Sequence, residues 1–136
     1  MNSNIQTHKI KISEVKREIH KAVLGQDAVI DDVIKCLLCN SHALLEGVPG
    51  VAKTHLIKCL SETIEGAIFS RVQFTPDLLP SDITGVQIYE EARGFYIRKG
   101  PIFSNFTLAD EINRAPPKVQ AAMLQCMAER QVTIGT

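Results

Sequence analysis

Gly47 and Gly50, followed by Lys53 and Thr54, are the residues whose types and spacing point most directly to chemistry. They stand in the run Glu46-Gly47-Val48-Pro49-Gly50-Val51-Ala52-Lys53-Thr54-His55-Leu56. Glycines let a backbone curl until successive N–H groups converge on an anion. A helix opening near Ala52 adds free N–H groups and the positive end of its dipole. Lys53 then supplies a full charge for β- and γ-phosphates, and Thr54 a hydroxyl for Mg2+. The layout is that of a phosphate-binding loop, with Gly47, Val48, Pro49, Gly50, Val51, Ala52, Lys53, Thr54 and His55 as the expected cradle. Ala52 departs from the general pattern G-x-x-x-x-G-K-[ST]. A methyl group is tolerable there if the residue sits in the first helical turn, where right-handed backbone suffices. The competing reading is a Gly/Pro turn with a solvated lysine.

A second constellation lies downstream, where Phe106-Thr107-Leu108-Ala109 runs into Asp110-Glu111. In a nucleotide site, an Asp at a strand tip holds Mg2+, usually through water. A neighbouring Glu orients or deprotonates the attacking water. Two adjacent carboxylates repel, so a metal and a bound polyphosphate make chemical sense of them. An acidic turn after a strand is the plain alternative, and the upstream phosphate loop weighs against it. The expectation is that the two segments meet at adjoining strand tips and jointly grip a magnesium-bound polyphosphate.

The elements that must position these groups follow from periodicity. Residues 1–12 are polar and read as a loosely held arm. Ser13 is placed as the cap of a helix over residues 13–23, with Val15, Ile19 and Val23 on one face and Gly25 ending it. Residues 26–40 carry one apolar stripe of Val29, Ile30, Val33, Ile34, Leu37 and Leu38. Residues 43–45 read as a short buried strand feeding the loop, whose helix runs to about residue 64. Residues 68–74 form a second strand with Ile68, Val72 and Phe74 on one face. Residues 75–84 form a loop with room for a short helix. Residues 86–89 and 95–98 flank a hairpin turn, and residues 106–109 form the third core strand. A helix opens at Pro116-Pro117 and runs to Arg130, with Val119, Ala122, Met123, Cys126 and Met127 inward. Residues 131–134 look extended.

Composition sets outer bounds. The 136 residues are 45% hydrophobic and 22% charged, which suits one ordinary globular domain. Fifteen basic residues balance fifteen acidic ones, so nothing advertises a nucleic-acid or anionic-membrane surface. No apolar run approaches the roughly 20 residues of a membrane span, and the first residues lack a signal-peptide core. A cytoplasmic setting is the expectation. Cys36-Leu37-Leu38-Cys39 spells C-x-x-C, but it lies in a helical apolar pattern with no second pair, so these read as core cysteines. His8, His20, His42 and His55 lack ligand spacing.

Five stretches together resemble the MoxR family of AAA+ ATPases. They are the loop at 47–54, Phe74-Thr75-Pro76-Asp77-Leu78-Leu79-Pro80-Ser81-Asp82-Ile83-Thr84-Gly85, Gly100-Pro101-Ile102-Phe103, the block from Ala109-Asp110-Glu111-Ile112-Asn113-Arg114-Ala115 to Gln120, and Met127 to Ile134. The likeness covers about residue 24 to the last residue, and Ala52 is a form this family commonly shows. It implies an α/β P-loop NTPase of the AAA+ type, a three-layer core with a parallel sheet and a β-hairpin insertion. Residues 1–24 would be an arm and helix, and residues 25–136 a core incomplete at its C-terminus. The sensor strand, arginine finger and lid would lie outside residues 1–136, and the missing strand would separate the loop strand from the Asp-Glu strand.

By the same resemblance the cofactors are ATP and Mg2+. Lys53 sits on the phosphates, Thr54 and Asp110 bind Mg2+, Glu111 activates water, and Gly25 and Gln26 lie near the adenine. Asn113 and Arg114 either meet a neighbouring subunit or form a capped, solvated helix start. The 86–98 hairpin is either a pore-side insertion or an exposed hairpin on which Tyr89 and Phe95 pack together. The implied partners are further copies in a ring of six and client protein complexes, among them a von Willebrand factor A-domain protein; no nucleic acid or membrane is expected. Two alternatives stay open: a nucleotide-binding or interaction module without turnover, and a related AAA+ motor or chelatase-type subunit. Neutral charge and the long Asp-Glu block argue against the latter.

Overall fold

The computed structural model describes residues 2–47 and 51–134. The chain forms two compact units, residues 1–67 and 68–136.

The first unit is helical. Helix α1 (Asn2–His20) is longer than expected, because residues 2–12 continue the helix instead of forming a loose arm. Ser13 is not its cap: its hydroxyl donates to the Lys9 carbonyl one turn back, at 2.9 Å. Helical hydrogen bonds are local, so a stretch free of Pro and Gly can extend a helix already anchored further along. Ile19 and Val23, both buried, provide the anchor, while residues 5–11 remain exposed. Gly25, at φ +74°, turns the chain into α2 (Asp27–Leu38). Lys16 on α1 meets Asp31 on α2 at 2.5 Å. The α2 stripe is narrower than its sequence pattern suggests. Ile30, Val33 and Ile34 are buried, whereas Val29, Leu37 and Leu38 stay exposed. Cys36 is half-buried, and Cys39 is the exposed C-cap of α2 rather than a core residue.

Residues 41–46 form no strand, and Leu44 is 81% exposed, contrary to the buried strand expected there. An extended run becomes a strand only when a neighbour accepts and donates its ladder hydrogen bonds. Helix α3 (Val51–Glu62) follows, buries Leu56 and Leu60, and packs against α1. It stops two residues short of the expected end. Thr63 N–H reaches the Cys59 and Leu60 carbonyls at 3.2 Å, and a turn through Gly66 follows.

The second unit holds the strands. β1 (Phe69–Gln73) leads through a loop to α4 (Pro80–Thr84), then to β2 (Gly85–Glu90), β3 (Gly94–Lys99) and β4 (Phe106–Asp110). A 3-10 turn (Ile112–Arg114) precedes α5 (Pro117–Glu129). β1 and β4 pair in parallel, with Val72 opposite Ala109 and Gln73 opposite Asp110. β2 and β3 form the expected antiparallel hairpin, with Tyr89 opposite Phe95 and their ring centroids 5.0 Å apart. The core joins Val72, Phe74, Ile83, Ala115, Val119 and Met123, flanked by Leu78, Ala109 and Met127. Ile68 does not belong to it, being 60% exposed. Its backbone is clamped just before β1 by Asn105, whose Oδ1 accepts the Ile68 N–H at 2.9 Å.

Where α4 passes into β2, two backbones touch. Gly85 adopts φ +98°, and an added Cβ would overlap the Arg98 carbonyl oxygen. A Cβ on Gly100 would overlap the Ile83 carbonyl and lie 2.7 Å from the Gly85 nitrogen. Backbone on both sides has nowhere to move. Gly100→Ala should therefore cost up to about 3 kcal/mol, the upper end for overpacking. Gly94→Ala, at φ +71° in open space, should cost about 1 kcal/mol for left-handed backbone alone. Urea unfolding midpoints compare the two, and a smaller shift for Gly100→Ala would contradict the close approach.

Candidate functional site

The first candidate segment is the start of α3, in the helical unit. Because the helix opens at Val51, Ala52, Lys53 and Thr54 all fall in its first turn, where the backbone N–H groups have no intrahelical partner. Right-handed backbone there accommodates the alanine. Lys53 Nζ donates to the Gly47 carbonyl at 2.7 Å, so the ammonium is tied to the residue that opens the expected loop. Gly47 has φ +153° and its α-carbon side faces the lysine, with Cε 3.5 Å from a Cβ placed there. Val48, Pro49 and Gly50 lie outside the described residues. Thr54 is half-buried and His55 exposed; the His55 ring Nε2 lies 3.6 Å from Cys59 Sγ, one turn on. Burial holds the Cys59 thiol above its usual pKa, so it stays protonated near neutrality. Gly25 forms the corner before α2, and Gln26 is the α2 N-cap, its carbonyl accepting the Ile30 N–H at 3.0 Å. No hydrogen bond or ion pair among the described residues joins Gly25 or Gln26 to Lys53.

The second candidate segment is the C-terminal tip of β4, in the other unit. Its last residue, Asp110, is paired with Gln73, and its carbonyl accepts the Phe74 N–H at 2.9 Å. Asp110 Oδ2 receives Arg71 NH2 at 2.6 Å. Glu111 Oε2 receives two donors, Gln73 Nε2 and Arg114 NH1, both at 2.8 Å. Glu111 itself is left-handed, at φ 55° and ψ 44°. That conformation costs a non-glycine residue about 1 kcal/mol or more. It turns the chain abruptly into the 3-10 turn, where the Arg114 N–H meets the Glu111 carbonyl at 2.9 Å.

The carboxylates remain open to water. Side-chain exposure is 34% for Asp110 and 44% for Glu111. Ion pairs at such exposure contribute about 1 kcal/mol or less, so these contacts orient the carboxylates more than they stabilise the fold. Among the described residues, no group of three or more His, Cys, Asp or Glu side chains gathers to enclose a metal. A cation held by this donor set would draw its other ligands from water and phosphate oxygens, the habit of Mg2+. The residues present fit that ion.

Arg71 and Gln73 escaped sequence reasoning. Their signal is the alternation along residues 69–74, which turns 71 and 73 away from the face of Val72 and Phe74. That signal does not say which strand lies alongside. Arg114, left open between a subunit contact and a solvated helix start, reaches Glu111 within its own chain. Just past β1, the Thr75 hydroxyl and the local backbone N–H hold the Asp77 carboxyl below its usual range.

The family model for the ATPase family associated with various cellular activities (AAA) matches residues 42–136. The chain is 50% identical over 119 residues to Chaperone MoxR1 of Mycobacterium tuberculosis, covering 87% of this chain and 31% of that protein. It is 46% identical over 124 residues to the YeaC protein of Bacillus subtilis, covering 90% and 38%. Protein MoxR of Methylorubrum extorquens is 39% identical over 124 residues, covering 87% and 36%. The chain thus spans about a third of the length of these curated relatives. The fold matches the crystal structure of a Cytophaga hutchinsonii protein that carries an ATPase name, with a TM-score of 0.85 and 51% identity over 96% of this chain and 39% of that one. The fold class is therefore the α/β P-loop NTPase core of AAA+ proteins. Among the described residues, no helix is long and apolar enough to cross a membrane.

Thr75→Val should raise the Asp77 pKa toward the ordinary carboxylate value, read by NMR titration of the side-chain carboxyl. The sign follows from linkage. A depressed folded pKa contributes stability above the unfolded value of about 3.8, and that contribution fades as pH falls through the lower folded value. An unchanged Asp77 titration in the variant would contradict the Thr75 contact.

Proposed function

This chain belongs to the ATPase family associated with various cellular activities (AAA), in its MoxR branch, and from that premise we propose that it binds Mg-ATP and hydrolyses it to remodel or mature partner protein complexes. The observation that carries the reading is the water-accessible Asp110–Glu111 pair, set at the tip of a parallel strand and held by dedicated donors. It lies downstream in the sequence of a lysine in the first turn of α3 whose ammonium donates to the Gly47 carbonyl.

Each residue then has a defined task. The α3 N-terminus and Gly47, Val48, Gly50, Val51 and Ala52 offer N–H groups to phosphate oxygens, and Pro49, which has no N–H, is the member of the cradle that donates none. Lys53 exchanges its Gly47 acceptor for a phosphate, at little cost because both are exposed hydrogen-bond partners. Thr54 and Asp110 hold Mg2+, which neutralises charge on the phosphates when bound. Glu111 accepts the proton of the attacking water, and its left-handed backbone sets it just beyond the strand end. Gly25 and Gln26 lie by the adenine. The convergence of the two segments on one ligand belongs to this proposal, as do a ring of six subunits, a cytoplasmic setting and a client such as a von Willebrand factor A-domain protein.

A second reading also has an observation in its favour. The carboxylates are already engaged by Arg71, Gln73 and Arg114, an arrangement that a module that binds without turnover could equally use. Thermal unfolding with and without Mg-ATP separates a nucleotide-binding protein from a bare scaffold, since a ligand of the folded state raises the midpoint.

In the intact protein, Lys53→Ala should abolish measurable nucleotide binding. Glu111→Gln should leave binding intact and lower turnover by about 10²- to 10⁴-fold, the scale of a lost general base. Calorimetry and a phosphate-release assay measure the two. Wild-type hydrolysis in either variant would remove that residue from its assigned role.

A further inference from the structure

Arg71 touches both halves of the carboxylate network. Its NH2 donates to Asp110 Oδ2 at 2.6 Å and to Gln73 Oε1 at 3.1 Å. A guanidinium has no acceptor. The Gln73 amide must therefore turn its oxygen toward Arg71, which leaves its nitrogen to face the other way. That nitrogen is the group that donates to Glu111 Oε2 at 2.8 Å. Arg114 NH1 meets the same oxygen, so both donors fall on Oε2 and neither on Oε1. The order Asp110, Arg71, Gln73, Glu111 is thus a polarised chain in which every link is fixed by the one before it.

We propose that Arg71 is a positioning residue that couples the two carboxylates. It is the internal cation of Asp110, competing with a divalent metal for that carboxylate. Through the Gln73 amide it also sets which way Glu111 is held. The inference rests on the roles given to Asp110 and Glu111 under the proposed function, and goes beyond them by naming what controls the pair. Removing Arg71 has two opposite consequences. Asp110 loses its competing charge and becomes a better metal ligand. The Gln73 amide loses the contact that orients it and is free to turn its oxygen on Glu111, where two acceptors repel. A residue that served only to hold the strands together would weaken both functions at once.

The test uses the intact protein and the variants Arg71→Gln and Gln73→Leu. Mn2+ is titrated into the nucleotide-free protein and followed by electron paramagnetic resonance. Steady-state ATP hydrolysis is measured separately. Arg71→Gln is expected to bind Mn2+ severalfold more tightly while kcat falls about tenfold or more and KM for ATP changes little. Gln73→Leu cuts only the second link, so kcat falls with Mn2+ affinity unchanged. Mn2+ affinity that is unchanged or weaker in Arg71→Gln overturns the proposal, as does a wild-type kcat in either variant. If Arg71→Gln does not fold, Arg71→Lys replaces it. The ammonium keeps a charge beside Asp110 but ends short of the NH2 position that serves both Asp110 and Gln73, so Mn2+ affinity should stay near wild type while kcat drops; a wild-type kcat there likewise overturns the proposal. A wild-type protein that hydrolyses no ATP defeats the functional reading, and the Mn2+ titration still decides the Asp110 half.

Discussion

Five residues of parallel register between β1 and β4 are the constraint on which the second unit depends. Parallel main-chain hydrogen bonds set Gln73 opposite Asp110, and the Phe74 N–H closes the ladder on the Asp110 carbonyl. A slip of one residue would turn every side chain of one strand to the opposite face. Val72 and Phe74 would leave the core, and Arg71 and Gln73 would leave the carboxylates. Core packing and the polar tip are therefore specified by the same pairing.

The division of labour along β1 follows from magnitudes. Phe74 is fully buried, and burial of such a side chain contributes roughly 2–3 kcal/mol. The exposed contacts of Arg71 with Asp110 and of Arg114 with Glu111 contribute about 1 kcal/mol or less apiece. The apolar face therefore holds the strands, and the polar face is left to orient acceptors without being needed for stability. At the N-terminal end of the strands a hydroxyl cluster does related work. Ser70 Oγ donates to the Pro101 carbonyl at 2.8 Å and lies 2.8 Å from Ser104 Oγ, which is itself 2.8 Å from Thr107. Half-buried hydroxyls would be costly if unpaired; paired with one another, they tie the loop after β3 to the start of the sheet. The left-handed Glu111 is a local cost carried by a well-packed neighbourhood, with Ala115 and Val119 buried just beyond it.

Several departures from sequence expectation share one cause. Residues 2–12 lack an apolar stripe but are helical, because a helix satisfies its own backbone and needs no neighbour once started. Residues 43–45 have the composition of a strand yet form none, because a strand is defined by a partner and composition cannot supply one. Ser13 has the chemistry of a cap but spends its hydroxyl on the preceding turn. Ile68 fits an alternating pattern, but its backbone is claimed by Asn105, 37 residues away.

The sequence by itself determined whatever depends on neighbours within a few residues. The amphipathic face of α5, the hairpin and its Tyr89–Phe95 contact, the helix that opens at Val51 and the strand that ends in Asp110 all follow from local periodicity and turn chemistry. Tertiary structure decided the partners of the site. Arg71 with Asp110 and Gln73 with Glu111 are pairs 39 and 38 residues apart, and Gly85 with Gly100 a close approach between separate turns. The physical reason is that side-chain direction is set by the local backbone, whereas the identity of the neighbour is set by strand register, and register is a property of two segments at once.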